Sequence, residues 1–540
     1  MNTYRYILFS LLLSLGLFSS CFDDKGNYDY KEIGEAVIKA IPGVTDNGDK
    51  LVCLENDVIR LTPEVEFKAG TSASDYEFIW FRYPKNPAGQ SGHYEQADTL
   101  AMTQNLEYKV INTPREYWLV YKVRNKVTGA LTEQKFEFII SAISGWMVLD
   151  ENASGKADIQ VIRDKDIVDG GDGRIVKDYF SFNNEGKKME NARFMAICPF
   201  SSRANLYVYS DAGAYILDMS TYKEKADSYT DLFSSTVTLD QINPQAEHYD
   251  IYGGNVEVLV NNYKIYTVAY RMMGQTQFVA ASGVYDYTAA PAIAPIRING
   301  SANSAALFDT KNYRFITVGT WGSITAPVST GGAFNTGAID PALKFVCMGE
   351  GKDGETCMVM RKEDSGEPYL FRASFVETDP VALTSDNLNG LKDMGVSKYY
   401  AFGTRGNFMF YATDSKVYTW RYGSESASEF MTVGEGEKIV QIKMYTNVSD
   451  ATFNGKILFV ATQKGNEGKV YKVVFNEMSG VAESSPVEYT GFNIIKGYGV
   501  MRTYLRITLR YEGHEKIEFN KWCYRLSVNG FCIACKRSKI

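Results

Sequence analysis

Four aspartates, Asp164, Asp166, Asp169 and Asp172, fall in one glycine-rich stretch, Asp164-Lys-Asp-Ile-Val-Asp-Gly-Gly-Asp-Gly173. Hard carboxylate oxygens gathered on a turn are what Ca²⁺ takes as ligands. The spacing departs from the EF-hand loop, with glycine and the closing glutamate misplaced, and the competing reading is a solvated turn between strands. Cys532 and Cys535 have CxxC spacing with Cys523 and His514 nearby, a sparse zinc set against the reading of an inert pair. Cys347 and Cys357 flank a segment that reads as a hairpin turn. Facing each other across it they would form a disulfide, and otherwise they are two reduced, half-buried thiols. Trp321 lies in a long polar loop, residues 319–332, with no strand to bury it. A flat aromatic among polar groups suits a sugar ring or a peptide, and the competing reading folds it back onto its own domain.

Catalytic sets are missing. The three histidines, His93, His248 and His514, argue against a histidine-rich metal site or a histidine-based triad. Neither a Gly-x-Ser-x-Gly elbow nor an HExxH helix occurs. A carboxylate pair for glycoside hydrolysis would be assembled by the fold, and no sequence-local pair stands out. No catalytic residue and no cofactor beyond the candidate calcium is assigned, and the chain reads as non-enzymatic. The net charge of −7 speaks against a nucleic-acid partner.

One further cysteine carries chemistry of a different kind. Arg5 precedes an apolar run from Ile7 to Phe18, and Ser19 and Ser20 stand directly before Cys21. The run is a secretory signal, too short for a stable membrane span. A cysteine at the cleavage point after small residues resembles a bacterial lipobox, with Phe18 where leucine is commonest. The resemblance implies that the Cys21 thiol is acylated and the signal removed, and two or more acyl chains anchor stably. Asp23 and Asp24 resemble a surface-export signal or begin a solvated tether. The expected location is the outer membrane, lipid-anchored and facing the cell exterior.

The elements behind this anchor are strands. Aromatic residues make up 14% of the chain, with 37 Tyr and 46 Gly, helical periodicity is scarce, and the fold class expected is all-β. Val58 to Phe67, Tyr76 to Tyr83, Leu106 to Val110, Tyr117 to Val123 and Gln134 to Ser141 read as strands of an immunoglobulin-like sandwich with Trp80 as core anchor. From Gly145 onward an aromatic-apolar strand, a glycine turn and a Val/Ile-Tyr strand recur. Examples are residues 205–218, 262–280, 400–420 and 456–475. This spacing suggests roughly seven or eight degenerate propeller blades, with stacked sandwiches as the alternative. The expected organisation is a signal at 1–20, a tether at 21–33, the sandwich at 34–142, a β-propeller-like domain at 143–500 and an atypical tail at 501–540. That tail holds nine Lys/Arg and three Asp/Glu, net +6, leaving −13 for the rest. It reads as a non-native end or as a basic extension for an acidic surface.

The start Cys21-Phe-Asp-Asp-Lys-Gly-Asn-Tyr-Asp-Tyr30, the Trp80 strand and the Tyr121-Lys-Val-Arg-Asn-Lys-Val-Thr-Gly129 hairpin together resemble the PKD-like family of bacterial lipoproteins. The resemblance implies a sandwich followed by a long β-rich region. It also implies a role beside a TonB-dependent importer and its surface-binding lipoproteins, with a glycan or peptide nutrient as ligand. The alternative is a propeller glycosidase or lyase acting on extracellular polymer.

Overall fold

The computed structural model describes residues 36–501, apart from positions 56, 86–96, 112–114, 142, 169–170, 200–203, 220, 226–227, 251, 253–255, 271–274, 448–449 and 451. Cys21, Asp169 and the tail with Cys523, Cys532 and Cys535 lie outside the described residues.

Alternation with period two builds the N-terminal sandwich. Its main sheet runs Lys50–Leu54, Leu131–Ser141, Arg115–Asn125, Tyr76–Pro84, Asp98–Ala101. Only Lys50–Leu54 pairs in parallel. Trp80, Leu119, Tyr121, Phe136 and Phe138 project from one face and meet residues of two small antiparallel pairs, Val37–Ala40 with Glu64–Glu66 and Val58–Leu61 with Leu106–Lys109. Trp80 stacks on Tyr121 with ring centroids 4.3 Å apart, and its indole N–H donates to the Gln104 carbonyl at 3.2 Å. Both demands of a buried tryptophan, apolar area and one hydrogen bond, are therefore met.

Residues 145–501 form seven antiparallel sheets arranged as propeller blades. Blades 2 to 7 begin, from the innermost strand, at Ala192–Cys198, Pro244–Asp250, Ala294–Pro295, Leu343–Glu350, Tyr399–Phe402 and Lys438–Met444. Blade 1 is composite. Its outer strands, Gly145–Glu151, Lys156–Ile162 and Ile175–Val176, come from the start of the domain, and its innermost strand, Ile494–Met501, comes from the end. Gly145 stands opposite Met501 and Glu151 opposite Ile494. Gly145 is required where the sandwich hands over to blade 1, because a Cβ there would lie 2.2 Å from the Ile162 carbonyl oxygen.

The ring closes where blade 7 meets blade 1. Trp146 stacks on Phe459 at 4.0 Å between centroids. Lys472, on the blade 7 strand Glu467–Val474, donates to Asp164 Oδ2 and Asp166 Oδ2, each at 2.6 Å. Tyr489 donates its hydroxyl proton to Asp164 as well. Lys472 is 2% exposed and Asp164 6%. The expectation of a calcium turn is corrected here: the two carboxylates face a buried ammonium, and Asp172 pairs with Arg174 at 2.8 Å and Arg163 at 3.5 Å. Among the described residues no group of His, Cys, Asp and Glu is placed to hold a metal ion. The sandwich is tied to the same blade. Arg174 donates to both Asp57 oxygens at 2.8 and 3.0 Å, Tyr179 donates to Glu55 at 2.7 Å, and Leu54 packs into the cluster of Met147 and Tyr179.

Lys472→Met strands two carboxylates at the seam and is expected to lower unfolding free energy by roughly 3–5 kcal/mol, with partial recovery when Asp164→Asn and Asp166→Asn are added. Chemical denaturation measures both. A loss below about 0.5 kcal/mol for the single variant would show that the triad does not hold the seam.

Candidate functional site

The innermost strands of an up-and-down propeller run in one direction around the axis, so their C-terminal ends meet at one end of the central channel. In this protein those ends carry charge. His248 lies near the end of Pro244–Asp250, Arg297 is the second residue after Ala294–Pro295, Glu350 ends Leu343–Glu350, and Lys443 is next to last in Lys438–Met444. They belong to blades 3, 4, 5 and 7.

Arg297 forms an ion pair with Glu350 from the neighbouring blade. Lys443 Nζ donates to the Tyr498 carbonyl, on the closing strand, at 3.0 Å. The Arg297 charge acts on His248 and on Lys443. Blades 4 and 7 do not adjoin, so Arg297 and Lys443 stand at the same end of the channel on different sides of the axis. Lys443 keeps accessible surface at this end of the ring. His248 Nε2 is buried and has no hydrogen-bond partner within the described protein.

This confinement shifts the protonation equilibria. Burial first, and then Arg297, push the Lys443 ammonium down to about 8 and the His248 imidazole down to about 3. Burial raises the Glu350 carboxyl, against the pull of Arg297. At neutral pH His248 is therefore a neutral imidazole and Lys443 mostly an ammonium, beside the Arg297–Glu350 ion pair. The chemistry available is electrostatic and hydrogen-bonding recognition of a small anionic group.

The residues singled out in the sequence lie elsewhere. Cys347 and Cys357 do sit on one hairpin, but Cys347 stands opposite Val359 and Cys357 opposite Gly349. Diagonal neighbours of this kind are about 7–8 Å apart, too far for a disulfide. Both are free thiols, pushed up to about 12 by burial. Trp321 is 60% exposed on the turn between Arg314–Gly319 and Ile324–Thr325. Turns between the third and fourth strands of a blade share an end with those between the first and second, so Trp321 is on the same end of blade 4 as Arg297. Thr267 of blade 3 donates to the Gly322 carbonyl at 3.0 Å and pins this turn. A groove of about 360 Å³ lies off the axis, between the outer strands of blades 6 and 7. Its polar atoms serve one another, with Thr419 donating to the Gly480 carbonyl at 3.0 Å and Ser424 to the Arg421 carbonyl at 2.7 Å. That leaves the axial cluster as the stronger candidate.

Sequence reasoning missed the axial cluster because its members are scattered across four blades. The one local signal is a lysine within the otherwise largely apolar inner strand Lys438-Ile-Val-Gln-Ile-Lys-Met444.

Residues 21–192 match the PKD-like family. The match runs through the sandwich and blade 1 to the first residue of blade 2. No curated protein matches the chain. Among solved structures, it is similar to a Quinonprotein alcohol dehydrogenase-like protein from Bacteroides thetaiotaomicron, at 11% identity and a TM-score of 0.39 over 83% of this chain and 96% of that one. It is also similar to a DUF4784 family protein from Bacteroides caccae, at 10% identity and a TM-score of 0.31 over 86% and 98%. A β-propeller domain from Vanderwaltozyma polyspora gives 10% identity and a TM-score of 0.33 over 55% and 89%.

Two outcomes are expected. Alkylation of the denatured, unreduced chain should label Cys347 and Cys357 separately, and a peptide pair joined through them would contradict the register. Because folded His248 binds its proton only near pH 3 while the unfolded residue does so near 6.5, stability should fall as pH drops through that window. Between pH 7 and pH 5 its share is about 1–2 kcal/mol. Comparison of His248→Gln with wild type isolates it from Glu350, which titrates with the opposite sign. Equal pH dependence in the two proteins would refute the assignment.

Proposed function

We propose that this protein is a surface-anchored, non-enzymatic lipoprotein that binds a nutrient ligand as an accessory to an outer-membrane uptake system. The observation that carries the reading is the axial cluster, where charged side chains from three blades and the neutral His248 of a fourth gather at one end of the channel and Lys443 keeps accessible surface. The cluster supplies one carboxylate, Glu350, already committed to Arg297. Hydrolysis of a glycosidic bond uses a pair of carboxyl groups with separate roles, so the arrangement supports binding over turnover. The lipobox-like sequence around Cys21 supports the anchor. The sandwich, tied to blade 1 through Arg174 and Tyr179, serves as a stiff spacer between membrane and propeller. A partner of the TonB-dependent importer class is the one that the resemblance carried by Cys21–Tyr30, the Trp80 strand and the Tyr121–Gly129 hairpin implies.

Glycan and peptide arrays probed with the full chain should show retention of one ligand class with no product released. Release of shortened polymer would overturn the non-enzymatic reading in favour of a propeller glycosidase or lyase. In cells fed an alkyne-tagged fatty acid, the wild-type chain should take up the label and Cys21→Ala should not. Equal labelling of both would remove the anchor.

A further inference from the structure

We infer that the axial cluster is a binding site for the carboxylate of an acidic sugar. This rests on the ligand-binding reading above and narrows it to one site and one chemical class.

The argument begins with charge. Arg297 and Lys443 bring two positive charges to the axis, and Glu350 answers one of them. Lys443 makes no ion pair among the described residues and donates to the neutral Tyr498 carbonyl at 3.0 Å. An ammonium can donate three hydrogen bonds, so donors remain for a ligand. Among the four side chains of the cluster one unit of positive charge is left over, and attraction for an anion in a confined space is stronger than in bulk water. A single negative charge balances it. A dianionic phosphate would overshoot and meet the Glu350 carboxylate, which favours a carboxylate as the guest.

The second observation is independent of charge. His248 Nε2 is buried and has no hydrogen-bond partner among the described residues. A buried polar atom left unpaired is costly, and a hydroxyl or carboxylate seated beside it removes that cost. The site is also reachable, since Lys443 keeps accessible surface. The sugar is preferred as carrier because the exposed Trp321 presents a flat ring at the same end of blade 4, a surface suited to the apolar face of a pyranose. Neither feature overlaps the Lys472 seam, the sandwich contact or the groove between blades 6 and 7.

Calorimetric titration of the full chain with galacturonic acid, glucuronic acid, galactose and N-acetyl-dialanine tests this. At least one uronic acid should bind roughly tenfold or more tightly than galactose. Lys443→Met should weaken that binding by roughly tenfold or more, while Lys443→Arg, which keeps the charge, should retain most of it. The melting temperature of each variant shows whether it has folded, and Arg297→Gln provides a second removal of charge should Lys443→Met fail. Equal binding of galacturonic acid and galactose overturns the inference, as does wild-type affinity in folded Lys443→Met. Binding of N-acetyl-dialanine without either uronic acid overturns the sugar assignment. Retention of a neutral glycan on the array with no uronate binding sinks the inference and leaves the binding reading standing. Absence of any ligand sinks both.

Discussion

Closure of the ring is the constraint on which the rest of this protein depends. An open row of blades would leave an inner strand edge unpaired, with its N–H and C=O groups facing water or another chain. Strand Ile494–Met501 removes that edge by pairing with Gly145–Glu151, although the two are separated by the whole domain. The seam is reinforced by Trp146 on Phe459 and by Lys472 between Asp164 and Asp166. Burying three charges has a desolvation cost, and replacing such a group by apolar residues is often neutral for stability. What the triad adds is register: a blade 7 lysine meets these two aspartates only when the terminal strand is seated.

Closure also creates the site. The channel end where His248, Arg297, Glu350 and Lys443 converge exists only once blades 3, 4, 5 and 7 stand around one axis. In an unfolded or partly assembled chain these side chains are solvated and titrate normally. In the ring, burial and the Arg297 charge act on His248 of the adjoining blade and on Lys443. The stability of the seam and the electrostatics of the site are in this sense one design.

Much of the fold could be read from local pattern. Strands were expected at Tyr76 to Tyr83, Tyr117 to Val123 and residues 205–218, and they form at Tyr76–Pro84, Arg115–Asn125, Asn205–Ser210 and Gly213–Asp218. Trp80 is buried, as expected of a core anchor. Period-two alternation and glycine turns are local signals, and a strand needs little more to be recognised. The expectations that failed depended on distances between side chains. Cys347 and Cys357 share a hairpin, yet a register offset leaves them diagonal. The aspartate stretch looked like a ligand set because the lysine that neutralises it is far away in sequence.

By itself, then, the sequence determined the all-β class, the strand positions and the repeating blade unit, because these follow from side-chain alternation and turn residues close together in the chain. It also carries the lipobox-like motif at Cys21, which is a matter of adjacent residues. The tertiary structure alone decided that the terminal strand enters blade 1, that Asp164 and Asp166 serve Lys472, that Arg297 pairs with Glu350 of the next blade and that Lys443 reaches the Tyr498 carbonyl of the closing strand. Each of these is a contact between residues far apart in the chain, and its energy depends on distance and burial that no local pattern encodes.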